Sequence, residues 1–268
     1  VCLFTDRVPL RAEAESGQPV HFAVASGPAV VENGFLRLTR RPARSPWPAE
    51  VRVVAIQLGG TDWQATEPAY RTLRVEAPPQ KPFAHPGLLD SRTEIDDVRA
   101  RIQRGEEPWA SRWKDMLASD ELSPRHRPSP RAHVVRDLGG RWEGSFELGL
   151  DSRRAYSHAL AWALGGDPEH ARRAAEFIDA WSEKLESITG HDARLLAGIT
   201  GHKFCNAAEL LRHTGAAWPE DRQKRFHDML RRVYVPICRD FFPSANGNWD
   251  ASMILTLMSI GVHLDDHD

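Results

Sequence analysis

The spacing of apolar positions changes once along the chain. Up to about residue 77 they alternate with polar or small residues: Phe22 and Val24, then Leu36 and Leu38, then Val51, Val53 and Ala55, and finally Leu73 and Val75 after Tyr70. A period of two predicts half-buried strands. Asn33-Gly34 is a strong signal for a two-residue hairpin turn, and Gly59-Gly60 marks the next turn. Short strands with turn signals about every ten residues predict a small all-β sandwich over residues 1–77. The run Ala77-Pro78-Pro79-Gln80-Lys81-Pro82 then reads as a semi-rigid boundary, with a linker over 78–84.

From residue 85 the period becomes helical. Ser91 and Glu94 form a capping-box pattern ahead of Ile95, Val98 and Ile102. A second helix runs from about Pro108 through Trp109 and Trp113 to Leu117. Residues 119–145 read as a long irregular loop, a kind of segment that tends to be functional. It carries Arg125, His126, Arg127, Arg131, His133, Arg136 and Arg141, a set suited to an acidic ligand. Long helices are predicted at about 148–165, 168–188, 191–214 and 219–241, with Asp167-Pro168 as an N-cap and first-turn proline. Short connections predict that consecutive helices are antiparallel neighbours, as in an α/α toroid or an irregular bundle. The last helix opens at Asn246-Gly247-Asn248-Trp249, with Asn248 as the expected N-cap and Asp250 in the first turn. Met253, Ile254, Leu257 and Met258 give that helix an apolar face.

Composition narrows the classes. The chain has 268 residues, 41% hydrophobic, with 35 basic and 37 acidic side chains and a net charge of −2. That balance argues against nucleic acid and against an anionic membrane surface as partners. No apolar run approaches the ~20 residues of a membrane span. Cys2, Cys205 and Cys238 are too few and too widely spaced for a disulfide framework or a metal knuckle, so buried free thiols are expected. Trp47 and Trp63 read as core or edge packing residues of the β segment, with carbohydrate platforms as the alternative. The opening VCLFTDRVPL has neither an initiator Met nor a signal pattern, which suggests a start trimmed from a longer gene product.

Two resemblances add to this. The order GPAVVENGFLRLTRR, VRVVAIQLGG and RTLRV resembles the bacterial immunoglobulin-like modules appended to secreted enzymes. The blocks HPGLLDSRTEIDDVRARI (85–102), SHALAWALGGDPEHARRAAEFIDAWSEKL (157–185), AGITGHKFCNAAELLRHT (197–214) and NGNWDASMILTLMSIGVHLDD (246–266) resemble the alginate-lyase-like superfamily of polysaccharide lyases. The similarity spans residues 85–268 and implies an incomplete (α/α) toroid. It further implies a groove for an acidic, uronate-containing polysaccharide such as alginate, β-elimination without metal or organic cofactor, and a secreted or periplasmic location.

β-Elimination removes the C5 proton beside the uronate carboxylate, so a donor must stabilise charge growing on that carboxylate, and a His or Tyr must take the proton. By resemblance, Asn248 is the catalytic amide. Asn246, Trp249, His202 and Lys203 are expected to bind substrate, and the basic loop adds His133 and Arg136. The family's downstream catalytic Tyr block has no counterpart before residue 268, so the chain is expected to be the front of a longer enzyme with little activity alone. Two other classes stay open. A glycoside hydrolase would draw its paired carboxylates from Glu143, Glu147, Asp151, Asp265 and Asp266. A non-catalytic carbohydrate-binding protein would hold glycan without cleaving it. Oligomeric state is not legible.

Overall fold

The computed structural model describes residues 7–39, 49–75, 81–240 and 247–267. The chain divides into two compact units between Lys81 and Pro82.

The first unit contains β1 (Arg7–Pro9), β2 (Val20–Ser26), β3 (Ala29–Glu32), β4 (Phe35–Leu38), β5 (Ala49–Gln57) and β6 (Ala69–Val75). They form two antiparallel three-stranded sheets, ordered β1-β4-β3 and β2-β5-β6. Alternation does what the pattern predicts. Leu36 and Leu38 from one sheet and Val51, Val53 and Val75 from the other point inward and share one apolar cluster. The β3–β4 hairpin pairs Glu32 with Phe35. Its two turn residues, Asn33 (φ 51°) and Gly34 (φ 80°), both have the positive φ that a right-twisted two-residue hairpin demands. Gly59-Gly60 falls where the chain leaves β5 for β6, in a connection of residues 58–68. One expectation needs correction. Trp63 lies in that connection at 51% exposure, so it does not pack in the core. Trp47 and Cys2 lie outside the described residues.

The second unit is mainly helical: α1 (Arg92–Gln103), α2 (Trp109–Leu117), α3 (Ser145–Gly165), α4 (Pro168–Lys184), α5 (Ala193–His213), α6 (Glu220–Met229), α7 (Val235–Arg239) and α8 (Asn248–Leu264). The Ser91 capping box is complete: its hydroxyl accepts the Glu94 N–H at 3.3 Å, and the Glu94 carboxylate accepts the Ser91 N–H at 3.0 Å. Asp167 caps α4 by accepting the Glu169 N–H at 2.9 Å, with Pro168 in the first turn. Between α6 and α7 the helix widens into a π turn, Leu230–Tyr234.

The region expected to be one irregular loop holds strands. β7 (His133–Arg136) pairs antiparallel with β8 (Trp142–Glu143) and parallel with β9 (Ser187–Thr189). The β-branched Val134-Val135 and Ile188-Thr189 explain the preference, and Val134 and Ile188 are buried. β9 therefore ends α4 at Lys184, short of residue 188. It also separates α4 from α5, which packs chiefly on α3 and α8 instead.

The α5–α8 seam is close because α5 offers glycine there. A Cβ on Gly198 would lie 2.8 Å from the Ser252 carbonyl carbon, and one on Gly201 would lie 2.9 Å from the Tyr234 ring. The Thr256 hydroxyl enters this seam, donating to the Gly198 carbonyl at 2.7 Å and accepting the His202 N–H at 2.9 Å. Cys205 and Cys238 are buried free thiols, as composition predicts. Among the described residues no helix is long and apolar enough to cross a membrane.

Candidate functional site

Strands β7 and β8, the start of α3 and the first half of α5 surround an open cleft of about 260 Å³. Arg136 comes from the end of β7, Arg153 from α3 and Lys203 from α5, so three cations line one cavity. Its apolar wall comes from Trp142, Phe146 and Leu150. Trp142 and Phe146 lie with ring centroids 5.1 Å apart and stay largely exposed, at 43% and 62%. The Trp142 indole donates to the Asp137 carbonyl at 3.1 Å, which fixes its plane. The Arg136 guanidinium carbon sits 5.3 Å from the Trp142 ring centre. Among the described residues that line the cleft, none is a carboxylate.

The electrostatics favour an anion. Burial lowers the pKa of Lys203, and the neighbouring Arg153 lowers it further. Lys203 forms no ion pair among the described residues. Arg153 is partly neutralised by Glu121 at 3.0 Å. Among the described residues, Arg136 has only a long ionic contact, to Asp192 at 3.7 Å, and its Nε is buried without a hydrogen-bond partner. A carboxylate entering the cleft would relieve both the desolvation and the like-charge repulsion.

A line of contacts leads from the cleft to the mouth of α8. Asp192, paired with Arg136, also binds His191 Nδ1 at 2.8 Å. The His191 ring meets the Trp249 ring edge-on at 5.5 Å. His191 is held by its backbone as well, since its N–H donates to the Asp137 carboxylate at 3.1 Å. That bond and one from the Leu138 N–H keep the Asp137 carboxyl below its ordinary range.

The sequence-nominated residues thus separate into groups. Arg136 and Lys203 come together in the cleft, joined by Arg153, Trp142 and Phe146, which the sequence reading did not single out. Trp249 is half-buried and reaches the cleft only through His191, Asp192 and Arg136. Asn248 is exposed, and its expected capping role is overturned. Gly247 occupies the cap position in extended backbone, Asn248 is already the first helical residue, and no side chain among the described residues caps the end. Asn246 lies outside the described residues.

His202 lies at the α5–α8 seam, not in the cleft lining. Its Nδ1 bonds the Gly198 carbonyl of its own helix at 3.0 Å, and burial lowers its pKa. His133 is exposed on β7, bonded to the Ser187 hydroxyl at 3.0 Å and absent from the lining.

Most of the basic loop is locally neutralised. Arg131 pairs with Glu147 at 3.4 Å, Arg141 with Glu143 at 2.9 Å, and His126 with Asp120 at 3.0 Å. The carboxylates considered for hydrolysis are similarly occupied. Asp151 is buried and accepts from the Trp181 indole and the Ser129 N–H, both at 2.8 Å, while Asp265 binds His85 at 3.0 Å. His191 carried one visible signal, an adjacent Asp, which is too common to single out.

The alginate lyase family model matches residues 143–268, a span that begins beside Trp142 and contains Lys203, His191 and Trp249. Among solved structures, the helical architecture is similar to alginate lyase A1-III from Sphingomonas species A1. The TM-score is 0.50 and the sequence identity 15%, over 65% of this chain and 54% of that one. The chain thus spans about half the length of that enzyme. No curated protein matches.

Proposed function

We propose that the chain is, through its helical unit, a member of the alginate-lyase-like superfamily of polysaccharide lyases, and that it acts on an acidic, uronate-containing polysaccharide such as alginate by β-elimination. The observation that carries this reading is the convergence of Arg136, Arg153 and Lys203 on one cleft beside exposed Trp142 and Phe146. Cations bind the carboxylates of the polymer, and the aromatic faces take the apolar faces of its rings. The absence of a carboxylate from the lining disfavours the paired-acid chemistry of a hydrolase.

Asn248 is assigned to the carboxylate of the sugar being cut, and the sequence neighbour Asn246 is assigned to substrate binding. The Asn248 amide stabilises the charge that grows on that carboxylate as the C5 proton leaves. Trp249 walls the same place. His191, whose Nδ1 is held by Asp192, is the base: its Nε2 takes the C5 proton while the C4–O bond breaks, the departing oxygen takes a proton from water, and the imidazolium returns its proton to the hydroxide so formed. His202 and His133 are assigned no contact with the reacting sugar. The β unit is read as an immunoglobulin-like module, the helical unit as an incomplete (α/α) toroid, and the protein as secreted or periplasmic.

The test is incubation with alginate, with a neutral glucan as control, following the ultraviolet absorbance of the 4,5-unsaturated end. Unsaturated product from the uronate polymer alone is expected, lost in Asn248→Ala. Saturated reducing ends would turn the reading to hydrolysis. Tight binding without cleavage would leave a carbohydrate-binding protein.

A further inference from the structure

On the C-terminal half of α5, a second polar cluster lies outside the cleft. Glu209 and His213 are one helical turn apart and share a face. His85, 124 residues before Glu209, sits against them. Its ring stacks on that of His213 with centroids 4.2 Å apart and planes at 12°. One ligand-type atom from each of His85, Glu209 and His213 lies within 4.8 Å of the others.

We propose that His85, Glu209 and His213 form a binding site for a zinc-like divalent cation that clasps the start of the helical unit to α5. Three features carry this. First, the donor set is two imidazoles and one carboxylate, which suits zinc and its first-row neighbours and does not suit the all-oxygen preference of calcium or magnesium. Three protein ligands leave a fourth tetrahedral position for water.

Second, two of the three side chains are already oriented from behind. His85 presents Nδ1 to Glu209 while its Nε2 is held by Asp265 at 3.0 Å, the carboxylate–histidine arrangement that supports metal-bound imidazoles. Glu209 is held from its other oxygen by His263 Nδ1 at 2.9 Å and receives the Gly87 N–H at 3.2 Å. Glu209 and His263 are 1% and 0% exposed, so this support is rigid.

Third, His213 Nε2 is buried with no hydrogen-bond partner among the described residues, 3.7 Å from Glu209. A buried imidazole nitrogen left unpaired is costly. A cation between it and Glu209 would supply the missing partner.

The experiment uses the whole chain, freed of metal by a chelator and then titrated with Zn²⁺ by calorimetry and with Co²⁺ by visible absorption. One equivalent per chain, cobalt bands of four-coordinate intensity and a metal-dependent rise in Tm are expected. His213→Gln should weaken Zn²⁺ binding at least 100-fold. Asp265→Asn, a half-exposed supporting residue, should weaken it about tenfold while the fold is kept. His158→Gln, on α3 and outside the cluster, controls for adventitious binding by other histidines and should bind as the parent does. Absence of binding in the parent, or affinity unchanged in both His213→Gln and Asp265→Asn, would overturn the proposal. No substrate enters this test, so its outcome is independent of the lyase reading.

Discussion

The cleft and the His85–Glu209 cluster draw on the same helix and solve opposite problems. Lys203, near the middle of α5, is a cation partly withdrawn from water that forms no ion pair among the described residues, and the like charge of Arg153 outweighs the carboxylate of Glu121. Glu209, not quite two turns later, is an anion almost wholly withdrawn from water and met by His85 and His263. Burial alone would raise the Glu209 pKa, yet its histidine partners pull it down to about 2. One site gathers cations and is open to an anion; the other holds a buried carboxylate cross-linked to histidines within the fold, with His213 Nε2 left unpartnered among the described residues. Unpaired charge beside a cavity marks binding, whereas paired charge inside the core marks organisation.

Substitutions should separate the two. The largest effect is expected from Glu209→Ala, which strips His85 and His263 of their common acceptor. A loss of about 3–5 kcal/mol is expected, read as a fall of roughly 10 °C in Tm by calorimetry. Asn248→Ala should leave Tm unchanged, because the side chain is exposed and caps nothing, but lower turnover of a uronate polymer about 10²–10³-fold. A comparable loss of stability in Asn248→Ala would erase the distinction between site and scaffold.

Acid gives a third handle. His158 is buried, and burial followed by the proximity of His170 lowers its pKa to about 3. The unfolded chain therefore binds this proton and the folded chain does not, so stability is full above about pH 6.5 and falls as the pH drops toward 3. About 2 kcal/mol should be lost between pH 6.5 and 5, seen in urea midpoints and absent in His158→Gln. The smallest effect is expected from Lys203→Ala: polyuronate binding about tenfold weaker with a shallower salt dependence, and stability unchanged or slightly raised, since a desolvated cation has been removed. Binding that ignores both salt and this change would remove the electrostatic account of the cleft.

Local chemistry was legible where neighbours in sequence decide it. Asn33-Gly34, the Ser91–Glu94 box and Asp167-Pro168 each carry their own partners within four residues, and each forms as read. The β7–β9 pairing was not legible. It joins segments of four and three residues about fifty positions apart, and neither is long enough to display a period. Arg136 and Lys203 could be nominated one by one, but the sheet that brings them together is that same long-range pairing. The cap of α8 misled because Asn is favoured at such positions, whereas Gly247 takes the place without offering a side chain. The His85 cluster hid for the same reason as the sheet: only the Glu209/His213 spacing on one helix was visible beforehand.

The wide turn at Leu230–Tyr234 sets the rotational phase of everything after it. It accommodates one residue more than an α-helical turn, and Tyr234 and Cys238 on either side of α7's start both end inward, at 0% and 1% exposure. The turn has already absorbed its extra residue, so inserting one more there would swing Val235–Arg239 by about 100° about the helix axis. Cys238 would leave the interior, and a thiol reagent that passes it by in the parent would find it.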